Sequence, residues 1–303
     1  MNSRDKKLIE IILIGLLAAN LLAWSVVYFF NQPHYLEVIF FDVGQGNAAL
    51  IKSPTGHYIL IDNGPSAVIL EKLAQEIPFW KKKIDLVIIT HAHKDHFAGL
   101  ADVIKRYQVE QLIWNGAREN SLDFQQWQDL LRQIKTKVNV AWAGQRIKDK
   151  DLLIDILYPF FNLTDYEFED ANLSSIVVRL SFKEKTFLLM GDAYQSTEED
   201  LIAKEKSCQE KMNYLCGMLN LDSDVLLVGH HGSKTSTSEN FVRAVSPQIA
   251  VISVGQNNKF GQPASSVLDT LTKYDINILR TDLNGDIKFI SDGKNLKIKT
   301  NKN

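Results

Sequence analysis

The sequence IITHAHKDHFAG, residues 88–99, places three histidines and one aspartate within six residues. The apolar run at residues 86–89 predicts a buried strand before them, and the apolar periodicity of residues 100–107 predicts a helix after them. Side chains alternate along an extended backbone, so His91 and His93 point the same way. Asp95 and His96 come at the start of the helix, where they can face a second ion beside the first. A solvated polar loop has a similar composition, but ligands at this density favour a metal site.

Composition sets limits on the function. The chain has 303 residues and a formal net charge of −2, which allows one large domain or two small ones and provides no broad basic face for nucleic acid. The lysines at 81–83 are interpreted as a solvated cluster. Cys208 and Cys216 are the two cysteines and form no Cys-x-x-Cys pair, which argues against a zinc site built from cysteines.

The amino-terminal region predicts a membrane anchor. Residues 8–30 are almost wholly apolar and match the thickness of a bilayer, with Trp24 and Tyr28 near the far end as interfacial anchors. Basic residues occur within residues 4–7, and none follows before Lys52, which predicts a cytoplasmic amino terminus. A cleavable signal peptide is the alternative. The length of the run, and the lack of a clear small-x-small cleavage site, argue against it.

The predicted domain organisation follows from this anchor. Residues 1–7 form a cytoplasmic tail, residues 8–30 a transmembrane anchor and residues 31–34 a linker, and residues 35–303 form one extracytoplasmic domain. An oxidising compartment would permit a disulfide between Cys208 and Cys216, and the sequence leaves that pairing open.

Strands and helices alternate through the domain, which predicts an α/β fold of two mixed sheets packed face to face with helices outside. The segment Gly44-Gln45-Gly46 joins strand to strand and lacks a third glycine, which excludes a dinucleotide-binding loop. Strands are predicted at residues 36–43, 48–52, 57–61, 86–89, 111–114, 138–142, 152–158, 174–182, 186–190, 224–228, 250–254, 276–279, 286–290 and 296–298. Helices are predicted at residues 68–77, 100–107, 122–135, 241–245 and 263–274, with a surface helix and loop in 196–220 and a loop at 160–171.

Four predicted strand ends carry ionisable side chains: Asp62, the cluster at 91–96, Asp192, and the pair His230 and His231. Strand ends from distant parts of the chain can converge on one edge of a sandwich. One zinc ion takes about four ligands. The cluster, Asp192 and one late histidine supply roughly six, enough for two metals about 4 Å apart with Asp192 as the bridge.

The order His-x-His-x-Asp-His, then Gly-Asp, then Gly-His resembles the metallo-β-lactamase superfamily. The segments FDVGQG at 41–46, THAHKDHFAG at 90–99, GD at 191–192 and HHGS at 230–233 are similar to the extracellular hydrolase domain of the competence protein ComEC. Residues 257–263 and 280–285 resemble it as well, and the similarity extends over nearly all of residues 36–298. The multispanning channel of that protein is not in this sequence, and one predicted anchor takes its place.

This resemblance implies an αββα metallo-β-lactamase-like sandwich that hydrolyses its substrate with two divalent ions, zinc or manganese. It assigns His91 and His93 to the first ion, Asp95 and His96 to the second, Asp192 to the bridge and His230 to the last position. Asp95 is expected to orient the attacking hydroxide, and His231 to protonate the leaving oxygen.

Three further residues are placed around the ions by the same resemblance. Asp62 is expected to orient a ligand histidine, Asn172 to lie near the first ion and Ser233 to face substrate beside His231. With no histidine between the 91–96 cluster and Asp192, the first site would be open and rich in oxygen, which shifts its preference from zinc toward manganese.

The chain also departs from the ComEC pattern. Asn47 stands where aspartate is usual, Ala98 where glycine is common, and Gln262 where histidine is usual. Glutamine at 262 removes a possible ligand or proton donor.

The function predicted from the sequence is a membrane-anchored, extracytoplasmic, metal-dependent phosphodiesterase or nuclease that acts on DNA in competence-type uptake, beside a separate membrane channel protein. Two other functions stay open. The same metals could hydrolyse an ester, amide or lactam of the cell envelope, which the weak basic character favours. The domain could also bind DNA or an envelope partner with its catalysis impaired through Asn47 and Gln262.

Overall fold

The computed structural model describes residues 3–31, 35–164, 166–209 and 215–302. The chain divides into two compact units, Met1–His34 and Tyr35–Asn303. Residues 1–2 of the predicted tail and residues 32–34 of the predicted linker lie outside the described residues, as does the side chain of Tyr28.

The first unit contains the helix α1 (Ser3–Asn31). Its segment Arg4–Val27 has a mean hydropathy of 2.1 and buries none of its side chains. Within the part of the chain that the structure describes, α1 is the one helix long and apolar enough to cross a membrane.

The second unit is an αββα sandwich, which confirms the fold that the motifs implied. One sheet has eight strands in the order β17-β16-β1-β2-β3-β4-β5-β7, and the other has seven in the order β15-β14-β13-β12-β11-β9-β8. The strands are β1 (Leu36–Phe40), β2 (Ala49–Lys52), β3 (Tyr58–Ile61), β4 (Lys83–Ile89), β5 (Gln108–Trp114), β6 (Arg118–Glu119), β7 (Lys137–Val140), β8 (Arg146–Asp149), β9 (Leu152–Tyr158), β10 (Glu167–Phe168), β11 (Val177–Phe182), β12 (Lys185–Leu189), β13 (Val225–Leu227), β14 (Ile249–Ile252), β15 (Asn277–Arg280), β16 (Ile287–Ser291) and β17 (Leu296–Thr300).

Helices cover the outer face of each sheet. Ile69, Leu73, Val103 and Trp127 pack on the eight-stranded sheet, and Leu201, Phe241 and Leu271 pack on the other. Between the sheets, the ring of Phe289 meets Phe40 and Phe187 edge to face. The helices are α2 (Val68–Glu76), α3 (Lys94–Phe97), α4 (Leu100–Arg106), α5 (Leu122–Gln133), α6 (Gln195–Gln209), α7 (Glu239–Val245), α8 (Ser265–Lys273) and α9 (Thr281–Asn284), with 3₁₀ turns at Ala171–Ser174 and Gly229–Gly232.

The central strands of both sheets run parallel to their neighbours. β3, β4 and β5 are parallel in one sheet, and β12, β13 and β14 are parallel in the other. Such strands are buried on both faces, which explains their uninterrupted apolar runs. The first polar residue after each run therefore lies at the carboxyl rim of its sheet.

Two local differences from the predicted elements stand out, and the structure adds a disulfide that the sequence left open. Strand β8 was missed because three of its four residues are charged, which is typical of a solvated loop, and it is a strand through its pairing with β9. The predicted loop at 160–171 includes the two-residue strand β10, which pairs with β6, while residue 165 lies outside the described residues. Cys208, in α6, and Cys216 form a disulfide; residues 210–214 between them are not among those described.

Candidate metal centre

Four strand ends meet at one rim of the sandwich. Asp62 follows β3, and His91 follows β4. The short helix α3, which comes after β4 in the chain, carries Asp95 and His96. Asp192 follows β12 of the other sheet, and the turn Gly229–Gly232 follows β13.

Asp95, His96, Asp192 and His231 form a compact cluster, with one ligand atom from each lying within 4.8 Å of the others. His231 Nε2 is 3.1 Å from Asp95 Oδ2 and 3.4 Å from Asp192 Oδ2. His96 Nε2 is 3.3 Å from Asp192 Oδ1. Two imidazoles and two carboxylates at this spacing match the donor set of a transition-metal site.

His91 and His93 lie beside this cluster. The ring centroid of His91 is 4.7 Å from that of His93 and 4.1 Å from that of His96. His91 is fully buried, whereas His93 lines an open cleft of about 290 Å³ together with Asp95 and Asp192. The two histidines that alternate along the sequence are therefore brought together next to Asp192.

Several buried atoms of this centre have no hydrogen-bond partner: His91 Nε2, His96 Nε2, Asp192 Oδ1 and Asn172 Oδ1. Buried polar groups are almost always satisfied, and an unpaired one costs about 1–3 kcal/mol. His96 Nε2 and Asp192 Oδ1 are close to each other but lack hydrogen-bond geometry. Bound divalent cations would satisfy these atoms, so the residues present fit a metal centre.

His231, and not His230, belongs to the four-residue cluster. Its Nδ1 lies 2.8 Å from the carbonyl oxygen of Ser253, so Nδ1 carries the proton and Nε2 is left for the cluster. His230 Nε2 is 4.0 Å from Asp192 Oδ2, and its Nδ1 lies 3.0 Å from the Thr235 hydroxyl. The structure thus places His231, and not the expected His230, closest to the two carboxylates. Both residues have left-handed backbones, with φ of 47° and 54°, and this turn carries the second histidine inward.

Charge coupling sets the protonation of the metal-free cluster. Burial alone would lower the pKa of His96, but Asp192, Asp62 and Asp95 outweigh it and hold that pKa well above its ordinary value. Burial would likewise lower the pKa of His231, and Asp192 and Asp95 raise it instead. The pKa of Asp192 stays well below its ordinary value because His231 and His96 outweigh its burial. Burial, and to a smaller extent the nearby charge of His96, lower the pKa of His91 well below its ordinary value, which keeps that ring neutral.

Asp62 lies behind the cluster, fully buried. Its Oδ2 is 2.8 Å from His96 Nδ1 and accepts from the Thr90 hydroxyl at 2.9 Å, while its Oδ1 accepts from the Thr90 backbone N–H at 2.8 Å. Burial raises the pKa of Asp62, although these partners oppose the shift. An acceptor at His96 Nδ1 places the ring proton there and leaves Nε2 free as a ligand.

Asn172 is oriented by a network that the sequence analysis did not identify. Its Nδ2 donates to the Tyr194 hydroxyl at 2.9 Å, and that hydroxyl donates to Asp170 Oδ2 at 2.5 Å. Burial raises the pKa of Tyr194 to about 12, so the hydroxyl keeps its proton. The amide nitrogen of Asn172 is committed to Tyr194, and its oxygen is buried without a hydrogen-bond partner in a residue that lines the cleft. The sequence offered one signal for this network, a tyrosine two residues after Asp192.

Backbone contacts hold α3 against the Gly44–Gly46 loop. The carbonyl of Asp95 accepts from the Asn47 N–H at 3.2 Å, and the carbonyl of His96 accepts from the Asn63 N–H at 2.6 Å. A Cβ at Gly46 would lie 2.4 Å from the Asp95 carbonyl oxygen, so only glycine fits there.

The remaining predicted residues have different places. Asn47 is buried and lines an enclosed cavity with Asp62 and Ser253, away from the open cleft. Gln262 does line the cleft, where its Oε1 accepts from Gln45 Nε2 at 2.7 Å and its Nε2 donates to the His230 carbonyl at 3.2 Å.

Ser233, which was expected to face substrate, is part of the turn that follows His231. Its hydroxyl oxygen accepts from the Thr235 hydroxyl at 3.0 Å and helps to shape the turn, and it is not among the residues that line the cleft. Gln45 and Phe260 line the cleft instead. The first belongs to a motif that the sequence analysis quoted, whereas the second was not assigned a role.

The sandwich and its rim of histidines and aspartates define a class of metal-binding hydrolase folds. The sequence profile of the metallo-beta-lactamase superfamily matches residues 41–256, and the chain belongs to this superfamily. The metallo-beta-lactamase fold protein YhfI of Bacillus subtilis superimposes with a TM-score of 0.55 at 14% identity, over 84% of this chain and 100% of that one, which shows the shared fold.

Within the superfamily, the chain is similar to relatives that include a protein named for competence. The chain is 30% identical over 273 residues to ComE operon protein 3 of Bacillus subtilis, covering 84% of this chain and 33% of that protein. It is 28% identical over 258 residues to competence protein ComA of Neisseria gonorrhoeae, covering 83% of this chain and 32% of that protein. The ComEC-type resemblance is confirmed, and the chain spans about a third of the length of these relatives.

Proposed function

We propose that this protein is a membrane-anchored phosphodiesterase that cleaves DNA with two divalent ions, zinc or manganese. The observation that carries the proposal is a set of buried atoms without hydrogen-bond partners. They are one oxygen of the Asp192 carboxylate, Oδ1, and three atoms of neighbouring residues: His91 Nε2, His96 Nε2 and Asn172 Oδ1. A carboxylate with ligands on both sides suits a two-metal site, the arrangement used in many phosphate-ester hydrolases.

The proposed ligands fall into two groups that share Asp192. His91 and His93 would hold the first ion, with the oxygen of Asn172 as a further donor. The second ion would be held by Asp95, His96 and His231, so His231 takes the position that the motif comparison gave to His230. An oxygen-rich first site supports manganese over zinc.

Bound ions would lower the pKa of a water molecule and offset the negative charge of the phosphoryl group. Asp95, whose side chain is one third exposed, would accept a hydrogen bond from the attacking water and direct its lone pair to the phosphorus. His230 would return a proton to the leaving oxygen, since it faces the cleft and the Thr235 hydroxyl holds its ring.

The lining of the cleft supports a nucleic-acid substrate. Phe260 lies at the cleft with 61% of its surface exposed, and the ammonium of Lys259 is 5.5 Å from its ring centroid. Exposed aromatic rings beside cations stack nucleobases. An envelope ester, amide or lactam is the second candidate, which the net charge of −2 favours because DNA binding usually needs many phosphate contacts.

We further propose the cellular arrangement that the sequence predicted: a cytoplasmic tail at 1–7, a transmembrane anchor at 8–30, a linker at 31–34 and an extracytoplasmic hydrolase domain at 35–303. The apolar helix and the Cys208–Cys216 disulfide support it, since disulfides persist in oxidising compartments. The competence relatives support a separate membrane channel as partner, because this chain covers about a third of their length.

The test uses the full chain in detergent, stripped of metal and resupplied with manganese, magnesium or zinc. Labelled single- and double-stranded DNA should be cleaved, while His91→Ala and Asp192→Asn should lose both cleavage and bound metal. His57→Ala is the matched control, since that histidine bonds Asp149 on an exposed hairpin away from the rim. Bound metal with no DNA cleavage under any ion would defeat the nuclease proposal, and cleavage of an ester or lactam instead would favour the second candidate.

A further inference from the structure

An exposed aromatic pair lies on the loop between α2 and β4. Phe79 is 77% exposed and Trp80 is 71% exposed, and their rings meet edge to face with centroids 4.9 Å apart. Single exposed apolar residues are common on soluble proteins, whereas two large exposed rings side by side form a small apolar patch that is available for contact. The rings take no part in the cores on either side of the sheet.

Lysines follow the pair directly. Lys82 is exposed, and Lys81 directs its ammonium to the Gly56 carbonyl at 2.9 Å. Neither has a carboxylate partner among the described residues, whereas Lys83 is paired with Asp85 and Glu110. Two uncompensated positive charges thus adjoin the two exposed rings.

The topology puts this loop at the end of the domain opposite the metal centre. β1 and β3 are each antiparallel to β2, and β3 is parallel to β4, so the amino ends of β1 and β4 lie at the same edge. The loop precedes β4 and the ligand His91 follows it, which separates them by about 20 Å along seven residues. β1 starts at Leu36, five residues after the last residue of the apolar helix in the sequence.

We propose that residues 79–82 form a membrane-contact loop that binds the surface of a phospholipid bilayer. Phe79 and Trp80 would enter the interfacial region, where aromatic rings are favoured, and Lys81 and Lys82 would lie against anionic headgroups. The inference rests on the proposed membrane anchor, because the few residues of sequence between that anchor and Leu36 would limit how far the amino end of β1 can lie from lipid. Contact at this edge keeps the catalytic cleft facing away from the bilayer, toward an incoming polymer.

The test measures tryptophan quenching of the full chain reconstituted in vesicles of phosphatidylcholine and phosphatidylglycerol that carry doxyl-labelled lipid. Trp80→Phe should remove a share of the lipid-quenched emission comparable with that removed by Trp24→Phe in α1. Trp142→Phe is the matched control: Trp142 is 39% exposed and follows β7 at the opposite edge, so its loss should leave the amount of lipid-quenched emission unchanged. Equal quenching in wild type and Trp80→Phe would overturn the inference.

The charge component has its own variant. Lys81→Gln with Lys82→Gln should reduce Trp80 quenching severalfold in vesicles with phosphatidylglycerol, since each lysine contributes about fivefold to binding an anionic surface. Lys234→Gln with Lys259→Gln, on exposed loops of the opposite edge, should leave Trp80 quenching unchanged, whatever it does to DNA binding. Quenching that does not depend on Lys81 and Lys82 would refute the anionic contact.

The two proposals fail in different ways. Absence of quenching at Trp24 would refute the anchor itself, whereas quenching at Trp24 without quenching at Trp80 would refute the contact loop alone. Loss of DNA cleavage in His91→Ala tests the hydrolase and leaves both membrane results unaffected.

Discussion

Replacing Asp62 by asparagine should damage metal binding far more than folding. Asp62 accepts from the Thr90 N–H and hydroxyl and fixes the proton of His96 at Nδ1. In Asp62→Asn the oxygen can keep the Thr90 N–H, so the amide NH₂ then faces His96 Nδ1. Two donors cannot share that position, and His96 moves its proton to Nε2, the atom that would bind the ion.

The expected magnitudes differ for the two properties. Loss of an outer partner of a ligand histidine typically costs 10–100-fold in metal affinity, or about 1.4–2.7 kcal/mol. For the metal-free protein, hydrogen bonds to a charged acceptor become bonds to a neutral one, at a cost of about 1 kcal/mol each. The substitution also removes a carboxylate charge from a buried site, where burial raises the pKa of Asp62, and this offsets part of that cost. The free energy of unfolding without metal should therefore fall by about 1–2 kcal/mol.

The assay is calorimetric titration of manganese or zinc into metal-stripped protein, beside unfolding in excess chelator. Asp155→Asn is the matched control, because Asp155 is equally buried and pairs with Arg146 in the other sheet. It should lose stability and keep its metal affinity. Wild-type affinity in Asp62→Asn, or an equal loss of affinity in Asp155→Asn, would refute the tautomer argument.

Three further predictions follow from the same site. In Tyr194→Phe the amide of Asn172 loses its partner and can rotate, so the affinity for the first ion, measured by the same calorimetric titration, should fall about tenfold. The control Tyr158→Phe removes a hydrogen bond to the Leu173 carbonyl and should leave that affinity unchanged. Phe260→Ala should lower kcat/KM for single-stranded DNA about tenfold and leave hydrolysis of a small phosphodiester without a base unchanged; equal losses on both substrates would refute stacking. The pKa of His96 is raised well above its ordinary value and that of His231 is raised, so below these raised pKa values an ion must displace protons from the two rings. Metal affinity should therefore weaken as the pH falls below them, and titrations in buffers of different ionisation enthalpy would detect the released protons; an affinity that does not change with pH would contradict this.

Much of the fold could be predicted from the sequence because its signals are local. Buried parallel strands such as β4 are short apolar runs, and each run ends at a polar residue where the chain reaches the rim. The amphipathic helices α2 and α5 begin at the predicted residues for the same reason. β8 escaped prediction, since pairing with β9 rather than its own composition makes it a strand.

For the site, the sequence by itself determined which chemical groups occupy the strand ends: imidazoles and carboxylates in the order of a metal-binding superfamily. It could not decide which of two adjacent histidines turns inward, whether Ser233 faces the cleft, or that Tyr194 orients Asn172. Those outcomes depend on bonds between residues far apart in the chain, such as that of His231 Nδ1 to the Ser253 carbonyl. Only folding, which pairs strands that are distant in the sequence and packs the two sheets, brings such partners within reach, and so the tertiary structure decided these side-chain positions.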